Sequence, residues 1–552
     1  MAICSGAAKV NSPVWWRVIE AERAVVLLAH HAALILEPGT LEIPSRATAR
    51  SLGARRSPAL AHPLAVLLLL ALATLSALVV QGYHLGTDDA EIYEPAIKKA
   101  LNAHLFPFGD EFFMHHAHLS CFPTVVAWSS SLTHVPVDAT LFAWYVASLF
   151  FLFLAARKLL CLCFEREAAR WSGIALLACV LTVPVAGTAL ILVDPYLTAR
   201  SFSTPATIFA LASFVEHRPS RSLLWLFCTA LIHPQMAVYA LLFVGCLAAA
   251  RYQRRPSPVP EPAFALLMAW PMRFELTPAH GAYREILQSR SYFLVSSWQW
   301  YEWVGVIAPL LALFYLSRCQ PRGTLPACGL LARAMVGLGL LATGVALVLA
   351  SSTRFDYLAR LQPMRSFHLI YVLFFLFLGA LAGQYILKNC AWRWTVFLAL
   401  AAAMCVGQIQ AYPASPHIEW PGVSYGSGWL RAFLWIRHNT PDQDIFALDP
   451  DYMELPGVDL HGFRALAERS VLPDNAKDSG AVSVFPELAD DWKQQTAALR
   501  DWKHFTSRDF GILKARYAVK WIVLQRSISA KGLVCPYQND AVRVCRIAGV
   551  PQ

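Results

Sequence analysis

The run PLAVLLLLALATLSALVV, residues 63–80, decides the fold class. It carries no charge and does not alternate in polarity. In hydrocarbon every backbone N–H and C=O has to be satisfied internally, which leaves only helices and closed barrels. A barrel strand is about ten residues of alternating polarity, so this stretch reads as a helix long enough to cross a core about 30 Å thick. The composition agrees: of 552 residues 57% are hydrophobic and 15% charged, where a water-soluble chain carries about 25% charged.

Further apolar runs follow near residues 139–156, 171–191, 205–215, 303–317, 330–351, 366–387 and 394–411, with a short one at 263–273. Between them, SLLWLFCTALIHPQMAVYALLFVGCLAAARYQRR (222–255) is interrupted by Pro234. Proline removes an intrahelical hydrogen bond, so this region reads as two half-length helices broken at His233 and Pro234. The expected fold is an α-helical polytopic membrane protein with about ten to twelve membrane helices.

Basic loops face the cytoplasm, and RATARSLGARRS (46–57) therefore puts the N-terminus inside. Residues 1–57 read as a loose cytoplasmic extension without a cleavable signal peptide, in which AVVLLAHHAALIL (24–36) is an interfacial segment. The first span, 62–80, then leads out to a loop over 81–138, and the third leads out to DPYLTARSFSTP (194–205). The net charge of +10 sits in short clusters between apolar runs; these read as topology signals and not as a nucleic-acid surface.

The transmembrane part ends near 411. From 412 no run is long enough to span, and residues 412–552 read as a small soluble α/β domain on the outer face. An amphipathic helix and a strand are expected in GWLRAFLWIRHNTPDQDIFALDP (428–450). A helix feeding a strand follows in FGILKARYAVKWIVLQ (510–525), and a strand in AVRVCRIA (541–548). Cys535 and Cys545, in CPYQNDAVRVC, are spaced for a hairpin disulfide, a pairing the sequence leaves open.

The outer loops collect the unusual charges. The first holds Asp88, Asp89, Glu91, Glu94, Asp110 and Glu111, and the second Asp194 and Arg200. The third holds Arg273, Arg284 and Arg290, and the fourth Arg354, Asp356, Arg360 and Arg365. Positive charge is under-represented in outer loops, so TRFDYLARLQPMR (353–365) asks for an anionic partner, and arginine binds phosphate bidentately. A carboxylate beside an acceptor hydroxyl can take its proton as a bond forms at a sugar carbon, while a second orients it or holds a metal.

Each feature also has a plainer reading. Asp88 and Asp89 suit the N-terminus of a helix opening at Ala90, with Glu91 and Glu94 in its first turns. Arg354, Arg360 and Arg365 suit snorkelling at helix ends. His233 and Gln235 either line a cavity or satisfy backbone freed by Pro234. His115, His116 and His118, beside Asp110 and Glu111, are secondary candidates: a Zn or Mn site on one reading, an interfacial loop on the other. The aromatics of SYFLVSSWQWYEW (291–303) either stack on a sugar or lipid or, the favoured reading, form an aromatic belt; FRALAERS (463–470) and LPDNAKDSG (472–480) either touch an acceptor or, the favoured reading, are solvated surface.

A first span followed by a long outer loop opening on GTDDAE (86–91), short broken helices and an LxxxDPY stretch (190–196) form one pattern. With WIRHNTPDQDIFALDP and FRALAERSV in an outer α/β tail, it resembles the GT-C superfamily of membrane glycosyltransferases, in architecture over residues 62–552. That family uses polyprenyl-phosphate-linked sugars. The resemblance implies Asp88 or Asp89 as catalytic base or metal-binding carboxylate, for a divalent ion such as Mg or Mn, with Asp194 a second acid. It implies Arg354, Arg360 and Arg365 as donor-phosphate binders, with Arg200, His233 and Gln235 as further substrate contacts. No WWD-type signature of oligosaccharyltransferases is present, and the acceptor stays open. The expected activity is sugar transfer from a polyprenyl-phosphate donor at the outer face of the bacterial inner membrane. A transporter or flippase for an anionic substrate, or a non-catalytic scaffold, are the alternatives.

Overall fold

Among the described residues the first helix, Pro63–Gln81, opens on Pro63, at the position where a missing N–H costs nothing. Leu64, Leu67, Leu68, Leu72, Leu75 and Val79 stand 49–62% exposed on it, while Leu70, Ala77 and Leu78 are buried. These are the two faces of a helix at the edge of a bundle, leucine turned to lipid on one side. The computed structural model describes residues 63–252, 276–388, 390–423 and 426–547. The expected extension 1–57 with its 24–36 segment, the short run 263–273 and Arg273 lie outside the described residues.

Among the described residues seven stretches are long and apolar enough to cross a membrane. They are Pro63–Gln81, Val137–Cys163, Pro234–Tyr252, Trp300–Cys319, Pro326–Ala350, Thr353–Leu387 and Ala391–Ala411. The expected ten to twelve is reached only by counting the shorter helices Glu167–Cys179, Ala199–Val215 and Pro219–Ile232 with them. The chain is a helical, multipass membrane protein with a small C-terminal sheet. Two of its helices meet through glycine: a Cβ on Gly379 would stand 2.6 Å from Cβ of Leu176, and one on Gly173 2.6 Å from the Leu376 carbonyl. Small residues at such crossings let backbones approach where no hydrophobic driving force acts between helices.

The third expected span, 171–191, is corrected. The helix stops at Cys179, and the backbone from Val180 to Thr198 is irregular, with Pro184 lacking a donor. Its polar groups pair locally: Val193 N–H donates to the Leu181 carbonyl (2.9 Å), Leu192 to Val183 (3.1 Å) and Val185 to Leu190 (2.8 Å). With Val185, Leu190 and Leu192 buried, this irregular backbone is enclosed in protein, the condition under which such backbone persists at membrane depth. Helix resumes at Ala199 behind a Thr198–Ser201 capping box, which sets Asp194 and Arg200 on either side of the helix start.

The break at Pro234 is present: His233 is extended (φ −152°) between Pro219–Ile232 and Pro234–Tyr252. These helices pack on each other, with Leu226 and Ala240 in one small cluster beside Ala210. After the last long helix the chain builds a sheet in the order β2-β1-β3-β5-β4. Its strands are β1 Ile445–Ala447, β2 Ser470–Val471, β3 Val519–Gln525, β4 Leu533–Gln538 and β5 Val542–Ile547. β1 runs parallel to β2 and β3, and β5 antiparallel to β3 and β4. The expected helices are Gly428–Asn439 and Ser507–Tyr517, and Cys535 and Cys545 are joined across β4 and β5.

Candidate active site

The chain between Gln81 and Ala90 is held by partners from distant segments. His84 N–H donates to the Pro195 carbonyl (2.7 Å) and Leu85 N–H to Glu419 (2.9 Å). Gly86 N–H donates to Glu94 (2.9 Å), and Asp88 N–H to the Leu460 carbonyl (3.0 Å). Gly462 N–H returns a bond to the Gly86 carbonyl (2.7 Å). Glu419 is itself clasped by His461 (2.9 Å) and His84 (3.3 Å), all three fully buried. Burial raises the Glu419 carboxyl, but the two imidazoles outweigh it and hold Glu419 down to about 2. At His461 burial is outweighed by Glu419 and the ring is raised; at His84 burial wins and the ring is lowered.

Asp89 occupies the cap position of the helix Ala90–Leu101, yet its side chain makes no capping bond. Asp88 has φ 54°, in the left-handed region where Asp is several-fold enriched. Both carboxylates turn instead to one ammonium: Lys477 Nζ lies 3.0 Å from Asp89 and in direct contact with Asp88. The other Asp89 oxygen lies 3.4 Å from Arg200 Nη2, which is 2.6 Å from Asp194. Arg200 Nε (3.2 Å) and Thr198 Oγ1 (3.3 Å) also donate to Asp194. The result is a charge-alternating file, Asp88, Lys477, Asp89, Arg200, Asp194. The Asp88 and Asp89 side chains are 31% and 30% exposed, against 9% for Arg200 and 5% for Asp194. The file is open at the acid pair and closed at Asp194, beside a small cavity lined by Ser148, Thr204 and His368.

LPDNAKDSG is not solvated surface. Lys477 starts the helix Asp478–Val484, and Asp474 and Asp478 are 3% exposed and Arg464 1%. Arg464 forks onto Asp478 with two bonds of 2.9 Å. Asp474 accepts the N–H of Lys477 (2.5 Å), and Arg290 donates to the carbonyls of Asn475 (2.8 Å) and Ala476 (2.6 Å). The charged residues are inside because each meets a partner, which is what burial of charge requires. The signal in the sequence was a lysine set among two aspartates, downstream of an arginine in the otherwise apolar FRALA.

Glu91 and Glu94 are likewise more than first-turn acids. Glu91 accepts the N–H groups of Arg464 (2.9 Å) and Ala465 (2.8 Å), and it needs Gly462, where a Cβ would stand 1.9 Å from its Oε2. Burial pushes Glu91 up to about 8 and Glu94 up to about 7, with Arg464 and Lys98 opposing.

Arg365 stacks over Tyr292 (5.1 Å) and lies within electrostatic reach of Tyr93, His116 and His233. His116, packed on Phe485 (4.8 Å), is lowered to about 4 by burial and also feels Asp89; His233 feels Arg200. His116 and His233 are thus each within electrostatic reach of one member of the file, and Arg365 of both histidines. Gln235 is a brace: it donates to Tyr239 (2.8 Å), whose hydroxyl bonds the Leu361 carbonyl (2.7 Å) in the turn before Arg365.

Other expected residues stand elsewhere. Arg354 is exposed and Arg360 is within reach of Tyr283; among the described residues neither pairs with the three aspartates of the file. Asp110 pairs with Lys99 (2.6 Å), and His115 bonds the Glu111 carbonyl (2.7 Å). Among the described residues no three His, Cys, Asp or Glu side chains gather as a metal-ligand set. An Mg or Mn ion bridging Asp88 and Asp89 does not fit these residues as they stand, because Lys477 Nζ already lies between the carboxylates.

No family model and no curated protein matches the chain. Among solved structures it is similar to the arabinofuranosyltransferase AftD from mycobacteria (TM-score 0.42, 12% identity, 88% of this chain and 40% of that one). It is also similar to the archaeal oligosaccharyltransferase AglB from Archaeoglobus fulgidus (0.42, 11%, 83% and 69%), and to ArnT from Cupriavidus metallidurans (0.33, 11%, 88% and 99%). The chain spans only 40% of the length of AftD, and likenesses this distant transfer no activity and no residue role.

Proposed function

We propose that the protein is a membrane glycosyltransferase that moves a sugar from a polyprenyl-phosphate donor to an acceptor at the outer face of a bacterial inner membrane. The observation that carries this reading is the file of Asp88, Lys477, Asp89, Arg200 and Asp194 at the end of the first long apolar helix. It offers carboxylates that can act as base beside cations that can take a lipid phosphate, open to solvent at one end. In the reaction, Asp88 or Asp89 takes the proton of an acceptor hydroxyl as its oxygen bonds the anomeric carbon. The carbon–oxygen bond to phosphate breaks, and its electron pair leaves on the polyprenyl phosphate, which Arg200 and Arg365 receive. The C-terminal disulfide supports an outer location for the sheet, since such bonds persist in oxidising compartments. The N-terminus is then cytoplasmic, and residues 412–552 form the extracytoplasmic domain.

The test compares lipid extracts and surface glycans, by mass spectrometry, from cells expressing the native chain or its Asp88→Asn, Asp89→Asn double variant. A glycosylated product should depend on the native chain and fall by about a hundredfold or more in the variant. Product at the native level from the double variant refutes the mechanism.

A further inference from the structure

We infer that Lys477 is a tethered cation that stands where a divalent metal would otherwise bridge Asp88 and Asp89, so that the acid pair works without a metal ion. The inference rests on the glycosyltransferase reading for its consequence in catalysis, but not for its geometry. One ammonium touches a carboxylate of each of two adjacent residues, the position a bridging metal takes with oxygen ligands. A second basic group, Arg200, reaches the remaining Asp89 oxygen, so a basic side chain of the protein faces the pair from each side.

Lys477 is also built in. Its backbone N–H is held by Asp474, its neighbour Asp478 by the Arg464 fork, and the two carbonyls before it by Arg290 from a separate loop. The Trp492 indole fixes the Asp474 carbonyl (2.9 Å). A surface lysine meeting a carboxylate by chance has no such frame, and exposed pairs of that kind are worth little. Lys477 keeps 18% of its side chain exposed, beside two carboxylates about one-third exposed. It is fixed at the edge of the opening, where a substrate phosphate meets it from the solvent side. In this role Lys477 is a positioning residue for the acid pair and a contact for the departing phosphate.

The test uses the full chain in lipid nanodiscs with no sugar donor, titrated with Mn2+ by calorimetry and by electron paramagnetic resonance of the free ion. Carboxylates suit Mn2+, so Lys477→Met should gain about one bound Mn2+ per chain, with the native protein binding it about tenfold or more weakly, about 1.4 kcal/mol. Lys477→Met combined with Asp89→Asn should lose the site again. Lys477→Gln serves as a second variant if Lys477→Met does not melt like the native chain. Native protein binding Mn2+ as tightly as the lysine variants overturns the inference, as does a folded lysine variant that binds none. Because no transfer is measured, a missing glycosyl product would sink the proposed function and leave this result standing.

Discussion

Replacing Arg464 with methionine should unfold the outer part of the site, and the structure sets the scale. Arg464 is 1% exposed and donates two 2.9 Å bonds to Asp478, itself 3% exposed, with Glu91 3.8 Å from the same guanidinium. Two opposed quantities decide the outcome. Exchanging a whole buried ion pair for apolar side chains is about neutral, because desolvation cancels the attraction, whereas removing one partner strands a buried charge at a cost of about 3–5 kcal/mol. At about 2–4 °C per kcal/mol for a unit of 150–250 residues, Arg464→Met should lower the melting temperature by about 6–20 °C. Arg464→Met with Asp478→Leu should recover at least half of that. The assay is thermal unfolding of the detergent-held chain, followed by tryptophan fluorescence. A single variant melting within about 2 °C of native, or a double variant melting as low as the single, refutes the reasoning.

Four further outcomes are expected. Stability should peak at mildly acid pH: Glu419, held down to about 2, contributes stability above about pH 4.5 that is lost as pH falls towards 2. His461, raised above 6.5, contributes stability below that pH that is lost as pH rises through its folded value; melting curves against pH should flatten in Glu419→Gln. Gly462→Ala should cost about 1–3 kcal/mol by forcing Glu91 aside, read by the same melts, and an unchanged melting temperature would contradict the close approach. Tyr239→Phe removes the bond to the turn before Arg365, and should raise KM for the lipid donor more than it lowers kcat. Replacing Cys535 and Cys545 by serine opens a loop ten residues apart in sequence and should cost about 2.5 kcal/mol, seen as the difference between melts with and without reductant.

The helices were legible because lipid imposes one rule on a long stretch, and Pro63, Pro234 and Pro326 mark boundaries that a local reading can see. The irregular 180–198 segment was not, because its backbone bonds are local but its tolerance at that depth depends on tertiary enclosure. Asp88, Asp89, Asp194 and Arg200 were singled out from charge in outer loops, and they stand together. Lys477 was missed for a physical reason. Its setting of Asp474, Asp478 and Arg464 looks like any solvated charged stretch until Arg290, Trp492 and the acid pair, from three other segments, cover it. Arg354 and Arg360 carry the same charge as Arg365, and only the turn braced by Tyr239 and Gln235 sets Arg365 apart from them.

The contact between Asp89 and Lys477 joins positions 388 residues apart, and this has a consequence for how the protein is made. At about 5–20 residues per second, about 20–80 s of synthesis separate the emergence of the acid pair from that of its cation. Through that interval the loop that carries the acid pair has been made while Leu460, Gly462 and Lys477 do not yet exist to hold it. The acid pair is therefore assembled last, by the docking of the C-terminal part, and a chain truncated before Lys477 would span the bilayer with its aspartates unpaired by that lysine.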